Sequence, residues 1–254
     1  MKFAPVLLLL SVLLTGCASA PVSGPTPIPP SSGPPAEGVV SINFDDGYES
    51  AFEIGVPIVE QAGFKTTQFI VTKNVGTPGY VTVGQILAMQ NSGHEIADHT
   101  RTHPNLTTLT PAQQKDEIVG AQQDLMTIGV KTTIFAFPFG AHNDSTQSIL
   151  ADAHFTAART TNKGVNDENS DPLLLNCWVI APEGVTTDIN QITQAIDDAQ
   201  ANGKWLILLF HRIDEAGNPI SVSHTLLQET IDRLVEKKTR VITMKQGLAL
   251  FQLK

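Results

Sequence analysis

The chain has 254 residues, with 16 Lys and Arg against 25 Asp and Glu, a formal net charge of −9. That length suits one large domain or two small ones, and 41% hydrophobic against 16% charged residues can bury a core, which excludes a globally disordered chain. The acidic balance excludes a nucleic-acid binder built on a basic stripe, and only two cysteines, Cys17 and Cys177, exclude a disulfide scaffold.

In chain order, Lys2 precedes an apolar run from Phe3 to Leu14 that is broken only by Pro5 and Ser11. Twelve residues are too few to cross a hydrocarbon core of about 30 Å as a helix, and the pattern reads as the n- and h-regions of a signal peptide. The run ends in Leu14-Thr15-Gly16-Cys17, which resembles a bacterial lipobox. That resemblance implies removal of residues 1–16, acylation of Cys17 and a membrane anchor, leaving Cys177 without an intramolecular partner. Residues 18–37 hold seven prolines with Ser and Gly between them, an extended tether with a reach of roughly 60 Å at about 3.1 Å per residue. The expected organisation is thus a signal peptide (1–16), a lipidated Cys with a Pro-rich tether (17–37) and one domain (38–254).

Within the domain, Val39–Phe44 (VVSINF) predicts a strand and Ser50 to Ala62 an amphipathic helix that Gly63 ends. Lys65–Val71 predicts a strand, Val83–Gln90 a helix with Thr82 as N-cap, and Glu95–Asp98 a short strand. Thr110-Pro111 opens a helix that Gly129 stops. Lys131–Phe137 predicts a strand, Ser145–Ala151 a helix, and Thr156–Arg159 and Trp178–Ile180 further strands. Asp188–Ala201 predicts a helix, Trp205–Phe210 (WLILLF) a strand buried on both faces, Ser223–Lys237 a helix and Arg240–Thr243 a last strand. This alternation predicts βα units around a parallel sheet, and seven or eight strands in one domain favour a barrel.

The reactive side chains fall at strand ends. Asp45-Asp46 follows VVSINF, His99 follows EIAD with His103 four residues on, Pro138-Phe139-Gly140 follows KTTIFAF, and His211 follows WLILLF. In parallel α/β folds the C-terminal strand ends share one face, where active sites are built. Two imidazoles and a carboxylate make a three-ligand set for a catalytic divalent metal. Pro104 disfavours a helix at His103, so the two histidines belong to a loop. Neighbouring carboxylates point in opposite directions along an extended chain, so one can bind metal while the other acts as base toward water. His211 suits protonation of a poor leaving group such as an amine. Singly, Asp45-Asp46-Gly47 also reads as a turn, and the histidines as core or surface residues; together they read as metal-assisted hydrolysis of an amide or ester. His94, His142, His154 and His224 read as structural or exposed.

Asn43-Phe44-Asp45-Asp46-Gly47 resembles the first motif (TFDDG) of the polysaccharide deacetylase, or NodB-homology, family, carbohydrate esterase family 4. The His99–His103 pair is similar to its second motif, Ala136-Phe137-Pro138-Phe139 lies where the third, R-x-P-Y, is expected, and Leu208–His211 matches the fifth, L-x-x-H. The similarity runs from about Val39 to Leu250 and implies a distorted (β/α) barrel of seven or eight mostly parallel strands. It also implies a divalent metal, usually Zn2+, on Asp46, His99 and His103; Asp45 as general base; His211 as general acid; and the Phe139 N–H as oxyanion donor beside Pro138. Trp178 would wall the acetyl pocket, and Asp98 is either a support for His99 or an ordinary exposed carboxylate.

Two departures stand out. The third motif's Arg, which orients the base, is replaced by Ala136, and its Tyr by Phe139; Leu174 and Cys177 occupy the Asp positions of the fourth motif, D-x-x-D-W. The resulting expectation is a lipid-anchored, extracytoplasmic deacetylase acting on an N-acetylglucosamine-containing polysaccharide. An acetylxylan-type O-acetyl esterase and a non-catalytic glycan-binding lipoprotein are the alternatives. A non-haem iron oxygenase shares the ligand set, but the adjacent Asp45 argues against it.

Overall fold

The structure, a computed structural model, describes Met1 and residues 37–182 and 187–253. The expected signal peptide, Cys17 and nearly all of the tether lie outside the described residues.

Seven parallel strands follow one another around a barrel: β1 (Val39–Phe44), β2 (Thr67–Ile70), β3 (Glu95–Asp98), β4 (Ile134–Ala136), β5 (Ala157–Lys163), β6 (Leu175–Val179) and β7 (Trp205–Phe210). β7 pairs back onto β1 from Val39↔Trp205 to Phe44↔Phe210 and closes the barrel. Around it lie α1 (Val56–Gln61, entered through a π-helical turn at Ala51–Gly55), α2 (Val83–Asn91), α3 (Pro111–Thr127), α4 (Asp144–Asp152), α5 (Ile189–Ala201) and α6 (His224–Glu236). A two-stranded ribbon, β8 (Arg212–Ile213) with β9 (Ser221–Val222), leaves the top of β7. The last elements are β10 (Arg240–Val241) and α7 (Met244–Phe251). The expected distorted barrel of seven or eight mostly parallel strands is the observed fold.

Its distortion lies at β1. One edge of this strand is shared: Val39 and Val40 pair with β10, and Asn43 and Phe44 with β2. The other edge belongs wholly to β7. The apolar run of β7 splits by parity, as a strand covered on both faces must. Trp205, Ile207 and Leu209 join Val39, Phe69 and Cys177 inside the barrel, whereas Leu206, Leu208 and Phe210 pack outward among Ile192, Ile196, Leu227 and Ile231 of α5 and α6.

The bottom of the barrel is plugged by α7, which the sequence pattern did not reveal because Gly247 interrupts an eight-residue segment. Met244, Leu248 and Phe251 enter the interior cluster with Trp205. A Cβ at Gly247 would lie 2.3 Å from Trp205 Cζ2, so no larger residue lets the helix sit this close. The Trp205 indole N–H donates to Ser41 Oγ (2.9 Å), which donates to the Ile242 carbonyl (2.7 Å), so the burial leaves its polar atom satisfied.

Several boundaries moved. The strand expected over Lys131–Phe137 shrinks to Ile134–Ala136, with Thr132 Oγ1 capturing the Ile134 N–H in a local turn. The strands expected at Thr156–Arg159 and Trp178–Ile180 become Ala157–Lys163 and Leu175–Val179. The two N-caps behaved as read: Thr82 and Thr110 each form a capping box with Gln85 and Gln113.

Candidate active site

Asp45 and Asp46 continue β1 past its last residue, with the Asp45 N–H still bonded to the Phe210 carbonyl (3.0 Å). The chain then turns sharply, Asp46 and Gly47 both taking left-handed backbone (φ 70° and 74°). His99 follows β3 directly, and a loop returns His103 to the same place. His103 Nε2 lies 3.2 Å from Asp46 Oδ1, and His99 Nε2 lies 3.5 Å from the same oxygen. One donor atom from each of the three residues falls within 4.8 Å of the others.

The protonation of this trio fits a metal ion. The His99 Nδ1–H donates to the Ala136 carbonyl (2.8 Å), leaving a lone pair on Nε2. Burial pushes the His99 pKa down to about 3, so the ring is neutral at ordinary pH. Asp46 Oδ1 is buried and has no hydrogen-bond partner among the described residues. The His99 Nε2 lone pair thus faces the Asp46 oxygen without a ring proton between them, a costly arrangement that a shared cation relieves.

Asp45 has a different environment. Arg159 on β5 reaches across the lumen, and its Nη2 donates to both Asp45 oxygens (2.6 and 2.5 Å). Both residues are buried, Arg159 completely. Burial alone would push the Asp45 carboxyl up, but the Arg159 guanidinium, aided by His99 and His211, holds it below the usual carboxylate range. Asp46, by contrast, is pushed up by burial and by the neighbouring Asp45 charge, against the pull of His211 and Tyr48. The two adjacent carboxylates are therefore electrostatically distinct: one is kept ionised by a fixed cation, the other is not.

Arg159 is the residue that sequence reasoning missed. It takes up the contact with Asp45 that Ala136 cannot make, from the next strand: Ala136 and Arg159 are register partners on β4 and β5. The available signal was a lone Arg in the run Ala157-Ala158-Arg159, at a position where both neighbours are small and strand-like. Tyr48 was also passed over; it lies under the Arg212 guanidinium (3.6 Å from the ring centroid) beside Asp46.

The remaining expected site residues divide. His211 follows β7 and is half-buried; its Nδ1 is covered and has no hydrogen-bond partner among the described residues, and burial lowers its pKa against the pull of Asp45 and Asp46. Pro138-Phe139-Gly140 forms a tight turn in which Phe139 is left-handed (φ 58°). The Phe139 ring is 65% exposed and meets His103 edge-on at 4.6 Å. A Cβ at Gly140 would fall 2.3 Å from Thr161 Oγ1, so this turn needs its glycine.

Trp178 stands apart from the group expected for it. On β6, Leu175, Cys177 and Val179 face the lumen, and strand alternation sends Trp178 outward, against the α5–α6 layer with Lys163 Nζ 4.1 Å from its ring centroid. Asp98 is fully buried rather than exposed, its Oδ1 accepting the Thr100 N–H (2.8 Å), and burial raises its carboxyl well above the ordinary range. Cys177 is buried with Sγ 3.7 Å from Arg159 Nη1, and burial pushes its thiol up. Of the other histidines, His94 is a buried structural residue on Thr66 and Glu60, and His224 pairs at the surface with Asp214.

A model described as Polysaccharide deacetylase matches residues 32–158, half of the chain. The chain belongs to the polysaccharide deacetylase family. Among curated proteins it is 30% identical over 150 residues to the "Putative polysaccharide deacetylase YxkH" of Bacillus subtilis (strain 168), covering 58% of this chain and 53% of that protein. It is 26% identical over 206 residues to the "Probable peptidoglycan-N-acetylglucosamine deacetylase" of Arthroderma benhamiae, covering 79% of this chain and 40% of that one. The chain thus spans about half or less of these relatives. The solved structure of a family 4 carbohydrate esterase from Streptomyces lividans in complex with acetate shares its fold, with a TM-score of 0.55, 22% identity and coverage of 83% and 95%.

Proposed function

We propose that this polysaccharide deacetylase family member is a metal-dependent hydrolase that removes N-acetyl groups from an N-acetylglucosamine-containing polysaccharide at the cell envelope. The observation that carries the reading is the contrast between the two carboxylates: Asp45 clamped by Arg159, and Asp46 Oδ1 converging unpartnered with two imidazole nitrogens. Asp46, His99 and His103 would hold a divalent metal, Zn2+ by family resemblance, which would supply Lewis acidity toward the acetyl carbonyl and lower the pKa of water toward neutrality. Asp45 is the base that takes the water's proton. The Phe139 N–H donates to the developing oxyanion, and its exposed ring, in the turn fixed by Pro138, offers an apolar face to a sugar. His211 gives a proton to the departing amine. The Asp positions of the fourth motif hold Leu174 and Cys177, and His211 Nδ1 has no hydrogen-bond partner among the described residues; this favours an O-acetyl ester as the second reading, since an alcohol leaves with less help than an amine.

Acetate release measured on N-acetylglucosamine oligomers and on acetylated xylan, with and without a chelator, tests the reading. Chelator-sensitive release from the oligomers is expected. Release from xylan alone selects the esterase, release that survives metal removal sinks the metal role, and no release from any acetylated glycan makes the protein a binding module. The lipobox-like Leu14–Cys17 supports an acylated, extracytoplasmic protein. Labelled palmitate should enter the wild type and not Cys17→Ser; equal labelling of both rejects the anchor.

A further inference from the structure

The two imidazoles of the trio are held in different ways. The His99 ring is fixed directly by the Ala136 carbonyl. His103 is fixed through its backbone, at the end of a loop containing two non-glycine residues in left-handed conformation, Thr100 (φ 68°) and His103 (φ 61°). Such conformations persist only where the surroundings over-determine them. Here the surroundings are the backbone N–H groups of Thr72 and Lys73, which donate to the Thr100 and Arg101 carbonyls (3.2 and 2.9 Å), and one face of α3. Glu117 Oε2 accepts the backbone N–H groups of Arg101 (3.0 Å) and Thr102 (2.8 Å), and its Oε1 accepts the Thr102 hydroxyl (2.7 Å). One turn on, Gly120 opens the space that Arg101 crosses: a Cβ there would lie 2.7 Å from Arg101 Cδ. Beyond it, Asp124 receives Arg101 Nε (3.0 Å) and Nη2 (3.1 Å), while Asp116 receives Nη1 (3.0 Å). Residues 117, 120 and 124 share a face because they are three and four apart.

We infer that Glu117, backed by the Arg101–Asp124 pair across Gly120, is the positioning residue that sets His103 for metal binding. This rests on the reading of Asp46, His99 and His103 as the metal site. Glu117 makes none of its bonds to that site; it acts by holding the backbone of residues 101 and 102 so that the left-handed turn at His103 is already formed when the metal arrives. A carboxylate suits this task because it accepts from two convergent N–H groups and a hydroxyl at once, which no neutral side chain does.

The test is Zn2+ affinity, measured by competition with a chromogenic chelator, together with the melting temperature of the metal-free protein. The proteins are wild type, Glu117→Gln, Glu117→Ala, His103→Ala and, as a surface control, Glu236→Gln, whose carboxylate pairs only with Arg233 in an exposed contact. Glu117→Gln and Glu117→Ala should bind Zn2+ about 10–100-fold more weakly, the range for supporting groups around metal ligands. The metal-free melting temperature of Glu117→Gln should stay near that of wild type. His103→Ala should lose more affinity than either, and the control none. Wild-type affinity in both Glu117 variants overturns the inference, as does a loss that only tracks a lower metal-free melting temperature. Wild-type affinity in His103→Ala would instead overturn the metal-site reading on which it rests. If Glu117→Ala does not fold, the isosteric Glu117→Gln decides.

Discussion

Arg159→Met is expected to cost on the order of 3–5 kcal/mol of folding stability, the usual result of removing one partner of a buried ion pair, and to slow acetate release by roughly 10²-fold through misplacement of the base. Arg159 has no solvent exposure and Asp45 almost none, so water cannot replace the lost cation. The sign of the pH effect follows. In the wild type the Asp45 pKa is held below its unfolded value, so its contribution to stability is complete above the unfolded pKa and is lost as pH falls through the folded one. Without Arg159, burial governs, the carboxyl is pushed up, and the acidic limb of the rate profile moves to higher pH. The variant is then most destabilised near neutrality and recovers relative to wild type in acid. Arg159→Lys keeps the charge but not the planar fork, and should fall between the two. A rate profile unmoved by either substitution would separate Arg159 from the chemistry.

Asp45→Asn should lose roughly 10²–10⁴-fold in acetate release, the usual range for removing a general base, while binding metal. The amide keeps the shape but cannot take the proton, and the metal ligands are a separate set. It also leaves Arg159 as a buried cation without its carboxylate. The two losses of stability therefore share one cause. Asp45→Asn with Arg159→Met together should cost distinctly less than the sum of the single variants in urea unfolding. Strict additivity would mean that the contact contributes no coupling, and near-normal turnover in Asp45→Asn would place the base elsewhere.

Most of the barrel was legible in the sequence because its strands are buried on both faces and end in abrupt polar residues. VVSINF before Asp45-Asp46 and WLILLF before His211 mark two strands and two site residues at once. His99 and His103 were visible for the same reason. What escaped depended on contacts between strands distant in sequence. Arg159 meets Asp45 across 114 positions, and a pattern read along the chain sees only a charged residue in a short apolar run. Trp178 was assigned by resemblance to the Trp of the fourth motif, but parity along β6 decides which way it faces, and that register required the barrel. The helix α7 escaped because its fit depends on what is absent from Gly247, a space that only Trp205 defines.

The shared edge of β1 has a consequence for how the site opens. A strand paired along both edges and packed on both faces is released only when most of the barrel comes apart, so Asp45 and Asp46 extend from one of the slowest-opening segments of the chain. The loop bearing His103 is held by Glu117 and by the Thr72 and Lys73 backbone N–H groups, and its opening needs far fewer bonds broken than release of β1. The trio therefore joins residues that extend directly from barrel strands to one carried on a loop at the rim. Amide exchange in residues 101–103 is therefore expected on a timescale separate from that of global unfolding.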